Sequence, residues 1–107
     1  MSAVADDLRK ARALVEKGWT QRAMARDESR RRVNAVDPTA CRWCAVGSVV
    51  SVTAARFDAR YAKLIYAVKH AAGAAFTLAS WNDAPCRTQA EVLAAFDRAI
   101  ELAEQQP

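Results

Sequence analysis

Cys41 and Cys44 stand three apart in CRWCAVGS, the pair of side chains in this sequence most suited to chemistry. Such spacing serves two thiolate ligands for zinc, a redox dithiol, or a thiolate nucleophile near a helix N-terminus. Tetrahedral zinc would need two more soft ligands. Only His70 and Cys86 remain, each isolated, with no second closely spaced pair. A redox dithiol belongs in a βαβ context, and no strand is expected before Cys41. A nucleophilic Cys44 or Cys41 would call on His70 and on Asn82 or Asp83, a test that many small proteins would pass. Cys44 therefore reads first as a small buried hydrophobe and second as a candidate reactive thiol. No metal, no cofactor and no catalytic residue is expected.

Two other clusters are candidate interaction residues. Trp81, Asn82 and Asp83 in SWNDAP place an aromatic beside two turn-forming side chains. That is either a polar recognition corner or a helix stop. The run RDESRRRVN sets Arg30, Arg31 and Arg32 side by side, with Arg26 before and Arg42 after. The net charge is +4, and residues 1–53 hold ten Lys/Arg against six Asp/Glu, whereas residues 54–107 are balanced. The basic 26–42 region could meet phosphates or an acidic protein face, or be a solvated loop partly neutralised by Asp27 and Glu28.

These residues must be positioned by helices. The composition is rich in Ala and poor in Gly and Pro, with 52% hydrophobic and 26% charged residues. The expected fold is mainly α: residues 1–107 as one compact bundle of four to five helices. Ser2 caps a first helix over about 3–17, with Val4, Leu8, Ala11, Leu14 and Val15 at helical spacing and Gly18 at its end. Asp37 and Pro38 then predict a second helix from about Pro38 to Ala55. On it Cys44, Gly47, Ser48, Ser51 and Ala55 form one narrow face of small side chains. An internal Gly47 lowers helix stability by about 1 kcal/mol, which implies another backbone lying against it. A third helix carries Tyr61, Leu64, Ile65 and Val68 and stops at Gly73; a short helical or turn segment precedes Asn82. Thr88 and Glu91 form a capping box for a last helix from Gln89.

The stretch between the first two helices is read in two ways. Trp19, Gln21, Ala23 and Ala25 alternate with Thr20, Arg22, Met24 and Arg26, and the chain can return through Arg31–Asn34 after Asp27-Glu28-Ser29. This fits a short β-hairpin, or an irregular or helical turn.

GWTQRAMARD, DPTACRWCAVGSV and SWNDAPCRTQAEVLAAFDRA together resemble a family of small uncharacterised bacterial and phage proteins. Its pattern is Gly-Trp-Thr-Gln, then Arg-Trp-Cys-x-x-Gly-Ala, then Trp-Asn-Asp and a final helix. The resemblance runs from Gly18 to Ala99 and makes Trp19, Trp43, Cys44, Gly47, Trp81, Asn82 and Asp83 the family-like positions. Cys41 and Cys86 lie outside the pattern. The chain departs from it at Ser48, and at the arginine run, where a Gly turn is usual. The resemblance implies no activity; phage occurrence leaves a host-defence-inhibiting role open.

The function expected is a small non-enzymatic module that binds another protein. The alternatives are a nucleic-acid-associated or host-defence-inhibiting protein using the basic region, and a cysteine-dependent enzyme centred on Cys44. The start MSAVADDLRK is no secretory signal, and CAVGSVVSVTAA is too short to span a bilayer. Three cysteines, an odd number, suit a reducing compartment, so a cytoplasmic protein without a membrane is expected.

Overall fold

A computed structural model describes residues 2–106. The fold is mainly α: five helices and a small three-stranded antiparallel sheet. The first helix, α1 (Ala3–Lys17), starts where Ser2 accepts the Ala5 N–H at 3.1 Å. It buries Leu8, Ala11 and Val15 of the expected stripe, and Ala5 besides, while Val4 and Leu14 are only partly buried. Gly18 ends α1 in extended backbone, φ −173°, so no left-handed cap demands a glycine there. Its reason is proximity: a Cβ at Gly18 would overlap the Cys41 carbonyl oxygen.

The stretch after α1 forms the expected hairpin, extended by one strand. β1 (Ala25–Arg26) pairs with β2 (Arg32–Val33) on one side and β3 (Arg42–Trp43) on the other, both antiparallel. The turn between β1 and β2 closes on Asp27, whose carbonyl accepts the Arg30 N–H at 2.9 Å and whose carboxylate accepts the Arg31 N–H at 2.9 Å. Arg30 takes the left-handed position, φ 65°, that glycine favours in three-residue hairpin loops.

The second helix is much shorter than expected. Its helical span is α2 (Ala45–Val52), not Pro38 to Ala55. Asp37 and Pro38 make a turn instead: the Asp37 carboxylate accepts the Thr39 N–H at 2.8 Å and its hydroxyl at 2.6 Å, which holds the carboxyl below its ordinary range. The next residues are drawn into the sheet. Cys41 N–H donates to Arg26 O at 2.9 Å, and Trp43 N–H to Gly18 O at 2.9 Å. Cys41 therefore sits before a strand, and Cys44 is the residue that caps α2 rather than one on its face. Beyond Val52, Ala54 and Ala55 turn left-handed, at φ 53° and 58°, so Ala55 leaves the helix as well.

The remaining elements stand where the sequence sets them. α3 (Ala59–Ala72) is capped by Asp58 and stopped by a left-handed Gly73. α4 (Leu78–Asn82) and α5 (Gln89–Glu104) each begin with a capping box, Thr77 with Ser80 and Thr88 with Glu91. α1 and α3 pack on α5, and α2 is buried from Ala45 to Val50 against α1, α3 and α4. Leu8, Val15, Val49, Leu64, Val68, Val92 and Phe96 make the core. Across its edges Arg60 holds Asp7 at 2.8 and 2.9 Å, and Arg12 holds Asp97 at 2.6 Å. Among the described residues no helix is long and apolar enough to cross a membrane.

Candidate functional site

The three motif segments find their partners in one another. Asn82, at the end of α4, is wholly buried. Its Oδ1 accepts the Trp19 indole N–H at 2.9 Å and the Ala45 N–H at 3.0 Å. Its Nδ2 donates to Thr20 O at 3.2 Å and to the Asp83 carboxylate at 3.0 Å. Gln21 Nε2 donates to the carbonyls of Asn82 and Ala84, at 3.0 and 2.9 Å, and Arg22 N–H donates to the Asp83 carboxylate at 2.9 Å. The Trp43 indole donates to Ala35 O at 3.0 Å. A buried carboxamide with every donor and acceptor used is a structural junction. The polar atoms of Asn82 thus find their partners within the chain. Trp81 is half-buried beneath the Arg87 guanidinium, 4.0 Å above its ring.

Cys44 belongs to the same junction. Its Sγ accepts the Gly47 N–H at 3.1 Å, in place of the usual Ser or Asp cap. Burial pushes the thiol above its ordinary range, opposed by the Gly47 N–H, so the thiolate that chemistry needs is disfavoured. His70 lies exposed near the end of α3, stacked on Tyr66 with ring centroids 5.8 Å apart. Among the described residues no three of His, Cys, Asp and Glu gather as metal ligands.

The arginines are brought together differently from their order in the chain. The sheet registers Arg26 against Arg32 on one side and against Arg42 on the other. Ala25 pairs likewise with Val33 and Trp43, and Ala25 and Trp43 are buried. Alternation therefore gives one core-facing layer, Val33–Ala25–Trp43, and one outward row, Arg32–Arg26–Arg42. Arg31 projects from the loop, outside that row. Arg26 is held by three neutral acceptors: Thr20 Oγ1 at 2.9 Å, Arg30 O at 2.9 Å and Gln21 O at 3.2 Å. Arg42 donates to Asp27 O at 3.0 Å. Among the described residues no carboxylate forms an ion pair with Arg26, Arg30, Arg31, Arg32 or Arg42.

Beside the sheet runs an apolar groove of about 540 Å³. Met24, Val36 and Phe57 line it with 44%, 49% and 66% of their surfaces exposed, and Arg22 and Arg32 stand among its walls. Sequence reasoning missed this groove. Met24 is on the outward side of the alternation, but nothing in the pattern links it to Phe57, which follows α2.

The chain belongs to the family of unknown function DUF6197. The family model matches residues 1–102, so it takes in the junction, the arginine row and the groove together. No curated protein matches the chain, and no solved structure does. In this DUF6197 chain, Gly-Trp-Thr-Gln, Arg-Trp-Cys and Trp-Asn-Asp are bonded to one another, which explains their presence by folding.

Proposed function

We propose that the protein acts by binding another protein and not by catalysis. The observation that carries this is the groove of Met24, Val36 and Phe57, which gathers three of the five exposed large apolar side chains of the described residues in one place; the other two, Tyr66 and Phe76, do not line it. An exposed apolar patch with a polar rim is a usual mark of a docking surface. Arg22 and Arg32 among its walls and the chain's net charge of +4 select the occupant: an amphipathic segment with apolar anchors flanked by Asp or Glu. The disfavoured Cys44 thiolate supports a non-enzymatic role. The motif resemblance supports a bacterial or phage origin. Three free cysteines support work in a reducing cytoplasm, where a partner in host defence is within reach.

The test is titration of isotope-labelled protein with two synthetic amphipathic peptides, one acidic and one basic, of the same apolar pattern. Perturbation of the Met24 methyl and Phe57 ring signals by the acidic peptide, lost in Phe57→Ser, is expected. No perturbation, or an equal response to the basic peptide, would overturn the proposal. So would concentration-dependent self-association abolished by Phe57→Ser, since the groove would then serve a second copy of the chain.

A further inference from the structure

Like charges placed directly opposite one another across a sheet are destabilising. The Arg32–Arg26–Arg42 row does this twice in succession. Arg26 and Arg42 are bonded to neutral oxygens, which orients their guanidinium groups and leaves their charge uncompensated. Asp27 and Glu28 lie close by in sequence, but neither forms an ion pair with the row. The side chains have donors to spare. A guanidinium carries five N–H groups. Arg26 uses three for its three acceptors, and Arg42 leaves Nε and its second terminal nitrogen unbonded. Next to the row, Arg26, Arg30 and Arg42 share a surface pocket of about 370 Å³ with Trp19 and Thr20, and no carboxylate lines it. The Trp19 ring there is anchored by its bond to Asn82. Arg30 enters through a left-handed backbone that glycine would adopt without strain.

From these observations we propose that the arginine face of the sheet, with the pocket beside Trp19, binds the phosphate backbone of single-stranded nucleic acid. The site is separate in its ligand from the groove above. Strands lie about 4.8 Å apart, so the row offers a regularly spaced line of positive charge, which suits a repeating polyanion. Arg forks match phosphate oxygens bidentately. A fixed indole beside them gives one base a face to stack on, the pairing of basic groove and aromatic that single-strand binders use. Because the contacts are to phosphate, binding would have little sequence preference.

The test uses the whole chain and a fluorescent oligonucleotide of about ten nucleotides, read by anisotropy at several salt concentrations. Four arginine–phosphate contacts predict a log–log salt slope of about −3 for a single strand. In the double variant Arg30→Gly/Arg42→Gln the slope should fall to about −1.4, with an affinity loss on the order of tenfold or more at low salt. This variant leaves Arg22, Arg32, Met24 and Phe57 in place, so peptide docking in the groove should persist. Arg30→Gly also relieves the left-handed turn, and a melting curve no lower than that of the unaltered chain separates lost contacts from lost fold. Absence of salt-dependent binding by the unaltered chain would overturn the proposal, as would full binding by the double variant. Displacement of the oligonucleotide by polyglutamate at equal charge concentration would also overturn it, in favour of an acidic protein on this face.

Discussion

The indole N–H of Trp19 donates to Asn82 Oδ1 at 2.9 Å, joining the segment after α1 to the end of α4 across 63 positions of sequence. The same oxygen receives the first N–H of α2. One carboxamide thus ties together three stretches that have no local reason to meet. Asn82→Ala would leave the Trp19 and Ala45 N–H groups and the Thr20 carbonyl without this partner. Each buried group so stranded is worth about 1–3 kcal/mol. The expected loss in urea unfolding is roughly 3–4 kcal/mol, and Asn82→Asp should also be destabilising because it sets a second carboxylate beside Asp83. A loss below about 1 kcal/mol would mean that water replaces the amide.

Gly47 faces the backbone of Met24, and a Cβ there would lie 2.7 Å from the Met24 carbonyl carbon and nearer still to its oxygen. The close backbone expected from the sequence is therefore that of Met24, the residue leading into β1. By helix propensity alone Gly47→Ala would stabilise α2 by about 1 kcal/mol. The overlap reverses the sign: we expect a net loss of about 2 kcal/mol for Ala and a larger one for Leu, seen as a lowered Tm. A raised Tm for Gly47→Ala would place the strand farther from the helix.

Asp7 lies against α3 through two hydrogen bonds from Arg60, which hold its carboxyl below the ordinary value of 3.8 despite burial. A carboxyl whose folded pKa is depressed adds stability above its unfolded pKa, near 4, and that part is lost as pH falls through the folded value. Asp7→Asn should therefore lower Tm at neutral pH. The gap from the unaltered chain should close as pH drops below about 4, followed by thermal denaturation at several pH values.

Cys86 is exposed, whereas Cys44 is buried with its thiol pushed up. Iodoacetamide at neutral pH should modify Cys86 in the folded protein and reach Cys44 only in denaturant, which peptide mass mapping will resolve. Faster alkylation of Cys44 than of Cys86 in the folded chain would restore the case for thiol chemistry.

Where local chemistry decides, the sequence by itself determined the structure. Ser2, Asp58, Thr77 and Thr88 each accept the N–H that a cap must satisfy, and Gly73 supplies a left-handed stop. Helical periodicity marked Leu8, Ala11 and Val15 of α1 and Leu64 and Val68 of α3 as buried, since both sides of that inference lie within one element. Gly47 announced a neighbour without naming it. The start of α2 went the other way. Asp37-Pro38 is as good a turn as a helix start, and the choice fell to Arg26 and Gly18, whose carbonyls take the Cys41 and Trp43 N–H groups. Those bonds join residues 15 and 25 positions apart, beyond any local pattern. The same is true of function. Three consecutive arginines suggested one patch, but strand alternation left Arg31 out of the row. The registers set Arg26 between Arg32 and Arg42, because side chains directly opposite across a sheet share a face. The groove needed Met24 and Phe57 to meet across α2, and only packing of the sheet on that helix could bring this about.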